Sequence, residues 1–281
     1  MFVKAYAKIN LFLDVLSKRE DGYHDLNMVM LPIELHDSIE IESVPHLASD
    51  FITCDHVDLQ VTKYNLINNT LKEMKKRYGV KQHFIVNVHK EIPISAGLGG
   101  GSSNAAAVIK AVKKISKLSL DKEEETDLGV SLGADVPYCL ANVPAHVEGI
   151  GEKVTPIKMK KHFDVIVIKP SQGLSTKKVF ETSDNMELDH GDVYKVIEAL
   201  EKGDEELLER SLFNSLEKPS ISLVPEIQDV KNELKKMGFK MVLMSGSGSS
   251  VFALTTNHKF AVAKFRELDK KGYEVYLTRT L

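Results

Sequence analysis

Apolar and polar positions alternate, in part, over residues 2–16, and again over 39–44 and 84–90. That two-residue period is the mark of strands with one face in a core. Residues 26–35 are apolar nearly throughout and read as a more deeply buried strand. At 66–78 the period lengthens: Leu66, Ile67, Leu71 and Met74 recur among lysines, and this spacing predicts a helix. Helices are predicted again over 104–117 and 122–132, followed by a short loop at 133–137. Beyond Pro156 the pattern restarts with a strand at 163–168 and helices near 176–181, 193–201, 205–212 and 225–237. Strands at 241–244 and 251–255, a helix at 259–270 and a last strand at 274–278 complete it. An α+β protein of two domains follows, 1–156 and 157–281, divided near 154–161, where Pro156 and a lysine cluster interrupt both periods.

Composition narrows the class of protein rather than the fold. The 281 residues are 43% hydrophobic and 27% charged, as in an ordinary folded protein. With 37 basic and 40 acidic residues, the net charge of -3 offers no general attraction to nucleic acid or to an anionic membrane. The two cysteines, Cys54 and Cys139, lie far apart and the first residues lack a secretion signal, so a reducing cytoplasm is expected. No apolar run approaches the roughly 20 residues of a spanning helix. Zinc is not expected, because neither cysteine has a neighbour at ligand spacing.

The strongest chemical signal is PISAGLGGGSSNAAA at 93–107, where Gly97, Gly99, Gly100 and Gly101 run into an alanine-rich helix capped by Ser102-Ser103-Asn104. A backbone this bare can close its amides on an anion, and a helix start adds unsatisfied N–H groups and the positive end of a dipole. The segment therefore reads as a phosphate cradle. It is no Walker A motif, since no Lys-Ser or Lys-Thr pair closes it, and Ser102 stands where a dinucleotide fold would need its last glycine. Replacing Gly100 by valine is expected to block phosphate approach while leaving the fold intact.

Other segments say less by themselves. Lys8 and Asn10 share one face of the first strand, as on any half-exposed strand. An Asp-Gly turn precedes Tyr23 and His24, a ring and an imidazole that could hold a base, or simply a surface hairpin. Asp135, before Val136-Pro137, reads as a turn cap.

Taken together, the segments resemble the GHMP kinases. The resemblance rests on AKINLFLDVLSKREDGYH at 7–24, NLI at 65–67, the glycine segment at 93–107, LGADVPYCL at 132–140, KPSQGLST at 169–176, FNSLE at 213–217 and MSGSGSSVFAL at 244–254. It implies an amino-terminal domain like the second domain of ribosomal protein S5, a ferredoxin-like carboxy-terminal domain, and ATP with Mg2+ in the cleft between them. It also implies transfer of the γ-phosphoryl group of ATP to the 2-hydroxyl of a cytidine diphosphate-linked methylerythritol, a step of non-mevalonate isoprenoid synthesis. Pro93, Gly97, Leu98, Gly99, Gly100, Gly101, Ser102, Ser103 and Asn104 would bind the nucleotide phosphates, with Asn65 and Lys90 near the nucleoside. Ser103 would also reach the metal. Asp135 and Lys8 would be catalytic, with Asn10 close by; Tyr23 would stack on the cytosine and His24 bond its polar edge; Gly246, Ser247 and Gly248 would close the substrate site.

Two departures from the family pattern bear on specificity: Tyr6 stands where a proline is usual, and Ile150 where a basic residue is common. Two other readings remain open, a kinase of another small alcohol and a nucleotide-binding homologue without turnover. The partner expected is a small molecule, with no nucleic acid and no membrane, and the chain a monomer or homodimer.

Overall fold

The computed structural model describes residues 1–44, 46–56 and 66–281. The chain divides into two compact units, each assembled from separate stretches: Met1–Ala7, Leu35–Ile92 and Gly99–Asn142 in the first, and Lys8–Glu34, Pro93–Leu98 and Val143–Leu281 in the second. Residue 156, where the sequence pattern sets a boundary, lies inside the second unit. Two long strands, β1 (Phe2–Lys18) and β2 (His24–Ser43), contribute to both units.

In the first unit, β3 (Phe51–Cys54) pairs in parallel with β4 (Phe84–His89), and β4 pairs antiparallel with the later half of β2, from Ser38 opposite His89 to Ser43 opposite Phe84. The helices are α1 (Leu66–Tyr78), α2 (Gly100–Ile115), α3 (Lys122–Leu132) and α4 (Val136–Ala141). As the periodicity predicts, α1 buries Ile67, Leu71 and Met74. Each such side chain is worth about 1.5–3 kcal/mol when fully removed from water. The face that α2 buries is mostly small (Ala105, Ala106, Ala107, Ala111), so α1 and α4 can both pack closely on it. A capping box between Asp121 and Glu124 starts α3.

In the second unit, β5 (Ala145–Gly149) pairs with the first half of β2 and with β6 (Lys153–Pro156). The remaining strands, β7 (Asp164–Lys169), β9 (Met241–Met244), β10 (Val251–Thr255) and β11 (Glu274–Arg279), form an antiparallel sheet in the order β11-β7-β10-β9. Helices α9 (Glu226–Lys236) and α10 (His258–Lys270) pack on it. This strand order, with its two crossing helices, is the ferredoxin-like arrangement expected. Central β7 is apolar on both faces because both are covered: Val165, Ile166, Val167 and Ile168 are all buried. Three further helices, α5 (Thr176–Ser183), α6 (Val193–Lys202) and α7 (Glu205–Ser211), precede the two-residue β8 (Phe213–Asn214) and α8 (Glu217–Leu223). β8 runs parallel to β1, Phe12 opposite Phe213.

Three sequence expectations shift. β2 is one strand rather than two, because its two halves find different partners and buried Asp37 is hydrogen-bonded instead of ending the strand. α2 begins at Gly100, not Asn104, so the glycines are its first turn. β1 is not half-exposed at its chemical segment: Lys8, Ile9, Asn10 and Leu11 are all buried, and the polar pair sits in the interior.

Candidate active site

The glycine segment is shared between the units, with 93–98 in the second and 99–104 in the first. In the first unit Gly99 is the N-cap of α2, at φ 70 and ψ 17, with no side-chain cap. A side chain at that left-handed φ would be strained. The N–H groups of Gly100, Gly101 and Ser102 therefore open a 16-residue helix without intrahelical partners, while Ser103 N bonds Gly99 O at 2.9 Å. A Cβ built on Gly101 meets no heavy atom within 4 Å. Bare amides, a left-handed glycine and open space fit the phosphates of a nucleotide. Gly100 differs: a Cβ there would lie 3.1 Å from Ile92 Cγ2 and 3.3 Å from Lys90 Nζ. Valine at 100 would press on both, which corrects the expectation that it spares the fold.

Five other sequence-predicted residues lie in this unit, Lys90, Ser102, Ser103, Asn104 and Asp135, and Asn65 lies outside the described residues. Ser103 is buried, its hydroxyl donating to Tyr6 O at 2.6 Å and lying 3.3 Å from Cys139 Sγ, so its proton is engaged inside the fold. Ser102 is the half-buried hydroxyl of the pair. Asn104 is buried, and its Oδ1 has no hydrogen-bond partner among the described residues. Lys90 is ion-paired with Asp37, with side chains only 5% and 0% exposed, and Asp37 also accepts from Glu91 N and Ile92 N, both at 2.9 Å. Among the described residues no group of three His, Cys, Asp or Glu side chains could hold a metal. A magnesium ion here fits as a partner of nucleotide phosphates, needing one or two protein oxygens.

Asp135 is the N-cap residue of α4 at φ −81, ψ −9, and its side chain makes no capping bond. The turn-cap reading thus loses its expected hydrogen bond, while the following Val136 and Pro137 are buried and start the helix. Next along α4, burial pushes the Tyr138 phenol well above its ordinary value.

In the second unit, Lys8, Asn10, Gly97 and Gly246 come together. Lys8 Nζ donates to Asn10 Oδ1 at 2.7 Å, and Lys8 N bonds Leu98 O at 3.0 Å. Leu98 itself is a core side chain, and Pro93 opens the segment. The loop at 245–250 joins β9 to β10, is buried throughout, and clasps the glycine segment: Ser250 N bonds Ala96 O at 3.2 Å, and Ser245 Oγ bonds Gly97 O at 3.0 Å. Gly97 stands at φ 73, where a Cβ would overlap Ser245 O. At Gly246, φ 56, a Cβ would lie 3.0 Å from Lys8 Nζ. Ser247 Oγ pairs with Thr176 Oγ1 at 2.9 Å, and Gly248 stands at φ 82.

Tyr23 and His24 part company. Tyr23 is 55% exposed at the hairpin, while His24 is buried with Nε2 2.7 Å from Asp184 Oδ1 and its ring stacked on Phe180 at 4.7 Å. Lys18 Nζ donates to Asp184 Oδ2, and this bond first, then His24, holds the Asp184 carboxyl below its ordinary range. Sequence reasoning missed Phe180 and Asp184, whose four-residue spacing was the available signal, and missed Asp37, which stands between His36 and Ser38 with Glu34 and Glu40 nearby and nothing local to set it apart.

The chain belongs to the GHMP kinase family. The family's N terminal domain matches residues 65–149 and its C terminal domain residues 196–274. A 4-diphosphocytidyl-2-C-methyl-D-erythritol kinase of Clostridium botulinum (strain Eklund 17B) is 37% identical over 282 residues, covering 100% of both chains. Its namesake from Clostridium beijerinckii is 38% identical over the same span and coverage. A solved 4-(cytidine 5'-diphospho)-2C-methyl-D-erythritol kinase superposes with a TM-score of 0.82 at 30% identity, covering 100% of this chain and 99% of that one. A homoserine kinase from Cytophaga hutchinsonii, 17% identical with a TM-score of 0.75 and covering 100% of this chain and 94% of its own, shares the fold. The chain is thus an ATP-dependent small-molecule kinase. Among the described residues no helix is long and apolar enough to cross a membrane.

Proposed function

We propose that this kinase transfers the γ-phosphoryl group of ATP to the 2-hydroxyl of 4-diphosphocytidyl-2-C-methyl-D-erythritol, giving the 2-phosphate and ADP in non-mevalonate isoprenoid synthesis. The observation that carries the reading is end-to-end similarity to relatives that bear that kinase's name. The site chemistry supports it.

The amides of Gly100, Gly101 and Ser102 hold the phosphates and position the γ-group. Asp135 accepts the proton of the attacking hydroxyl. A carboxylate is a weak base beside a free alcohol. Phosphoryl transfer nevertheless has a loose transition state in most analyses, so the hydroxyl needs its proton removed only late. Lys8, oriented by Asn10, neutralises charge on the moving group. Magnesium, when bound, neutralises the phosphate oxygens. The exposed ring of Tyr23 offers a stacking face for a pyrimidine, and Asp184 with Phe180 holds His24 beside it in sequence.

Incubation with ATP, magnesium and the cytidine-linked polyol, followed by phosphorus NMR, should reveal a new monophosphate ester together with ADP. Mevalonate and homoserine, which have no ring to stack, should give none. Turnover of either in place of the cytidine compound would refute the assignment.

A further inference from the structure

The segment Phe213 to Glu217, with Asn214, Ser215 and Leu216 buried, is rich in hydrogen bonds and has no part in the chemistry above. Asn214 is only 5% exposed and lies opposite Leu13 in β8. Its Nδ2 donates to Met244 O at 2.9 Å and to Gly246 O at 2.8 Å, and its Oδ1 accepts from Leu216 N at 3.0 Å. Both amide protons thus go to carbonyls flanking Ser245. Glu217 holds the same strand end, with Oε1 accepting from Met244 N at 2.9 Å and Oε2 from Lys231 Nζ at 2.5 Å. Met244 is thereby held at its N–H and at its carbonyl, and Gly246 at its carbonyl. Beyond these bonds stand the groups that matter: Ser245 Oγ on Gly97 O, and Gly246 packed so close to Lys8 Nζ that a Cβ would reach 3.0 Å.

We infer that Asn214 is a positioning residue for phosphoryl transfer: its carboxamide sets the loop at 245–250, which in turn sets Lys8 and Gly97. The inference rests on the proposed role of Lys8. A buried carboxamide satisfied at all three points has one low-energy placement, and the carbonyls it holds cannot turn to water if it is removed. Freed of it, the loop relaxes and the ammonium shifts, and a displacement of about 1 Å at a catalytic group costs up to ~100-fold in rate.

The informative variant is Asn214→Asp, which keeps the acceptor for Leu216 N and the side-chain volume but has no proton for either carbonyl. Asn214→Ala serves if the aspartate fails to fold. Thr280→Val is the control, because it removes a buried hydrogen bond from the same unit, the one Phe163 N donates to Thr280 Oγ1, away from the 245–250 loop. With ATP, magnesium and the cytidine-linked polyol, Asn214 variants should lose about 10–100-fold in kcat while KM for ATP stays within about threefold. Thr280→Val should keep kcat within about twofold at a comparable fall in melting temperature. Amide hydrogen exchange of peptides spanning 241–252 should speed about tenfold or more in the Asn214 variants and not in the control. Exchange that is unchanged, or a kcat that tracks melting temperature equally in Asn214 and Thr280 variants, overturns the inference. Wild-type protein that never phosphorylates the cytidine compound sinks the proposed function instead, and the exchange experiment still decides whether Asn214 sets the loop.

Discussion

Two glycines of the same segment should respond to alanine in opposite ways. At Gly97 the backbone stands at φ 73, and an added Cβ would overlap Ser245 O, with Gly248 N and Gly248 O each 3.0 Å away. The left-handed conformation costs an alanine about 1–2 kcal/mol. Making room among backbone atoms adds roughly 1–3 kcal/mol. A loss of about 2–5 kcal/mol, in a chain of this size, lowers the melting temperature by roughly 4–20 °C. At Gly101 nothing lies within 4 Å of the added methyl, and the position is helical. Alanine there gains up to ~1 kcal/mol of helix propensity, so the melting temperature holds or rises. The methyl does occupy space through which a phosphate oxygen reaches the amide. Loss of one charge-assisted hydrogen bond, about 1.5–3 kcal/mol, should raise KM for ATP about 10- to 150-fold. Scanning fluorimetry without nucleotide and ADP release over an ATP titration separate the two effects. Gly101→Ala with KM within twofold of wild type would show that the start of α2 does not hold the phosphates. Gly97→Ala melting with wild type would show that the 245–250 loop does not pack as described.

Asp135→Asn, nearly the same size and shape, should lower kcat by about 10²–10⁴-fold; a loss below tenfold in a single-turnover assay removes its role as proton acceptor. Asp37→Ala breaks a buried ion pair and strips Glu91 N and Ile92 N of their acceptor, so urea denaturation should report a loss of about 3–5 kcal/mol, and under 1 kcal/mol would contradict the pairing. Because Asp184 has its carboxyl held below the ordinary range, its contribution to stability is complete above the unfolded value of about 3.9 and disappears as pH falls through the lower folded value. Wild type should therefore melt above Asp184→Asn at pH 7 and converge with it in strong acid; a gap that persists there would assign the difference to packing.

Local regularities carried most of the fold. Alternation marked β1 and β4, a continuous apolar run marked β7, helical spacing marked α1, and the run of glycines announced an anion site, because each is a periodic or compositional signal within a few residues. α4 and α8, at six and seven residues, are too short to show a helical period. The start of α2 was misplaced for a related reason: glycines oppose helix by propensity, and the packing of α1 and α4 on its alanine face overrides that preference.

The sequence by itself determined which residue types were available for phosphate chemistry: bare amides, one lysine and asparagine on a strand, one aspartate before a proline. Only the tertiary structure decided their state. It buried Lys8 against Asn10, turned the hydroxyl of Ser103 inward to Tyr6, and tied His24 to Asp184 across 160 positions of chain. Propensity and spacing act over one or two turns, whereas burial and hydrogen-bond pairing depend on which distant segments share an interior, and nothing local encodes that choice.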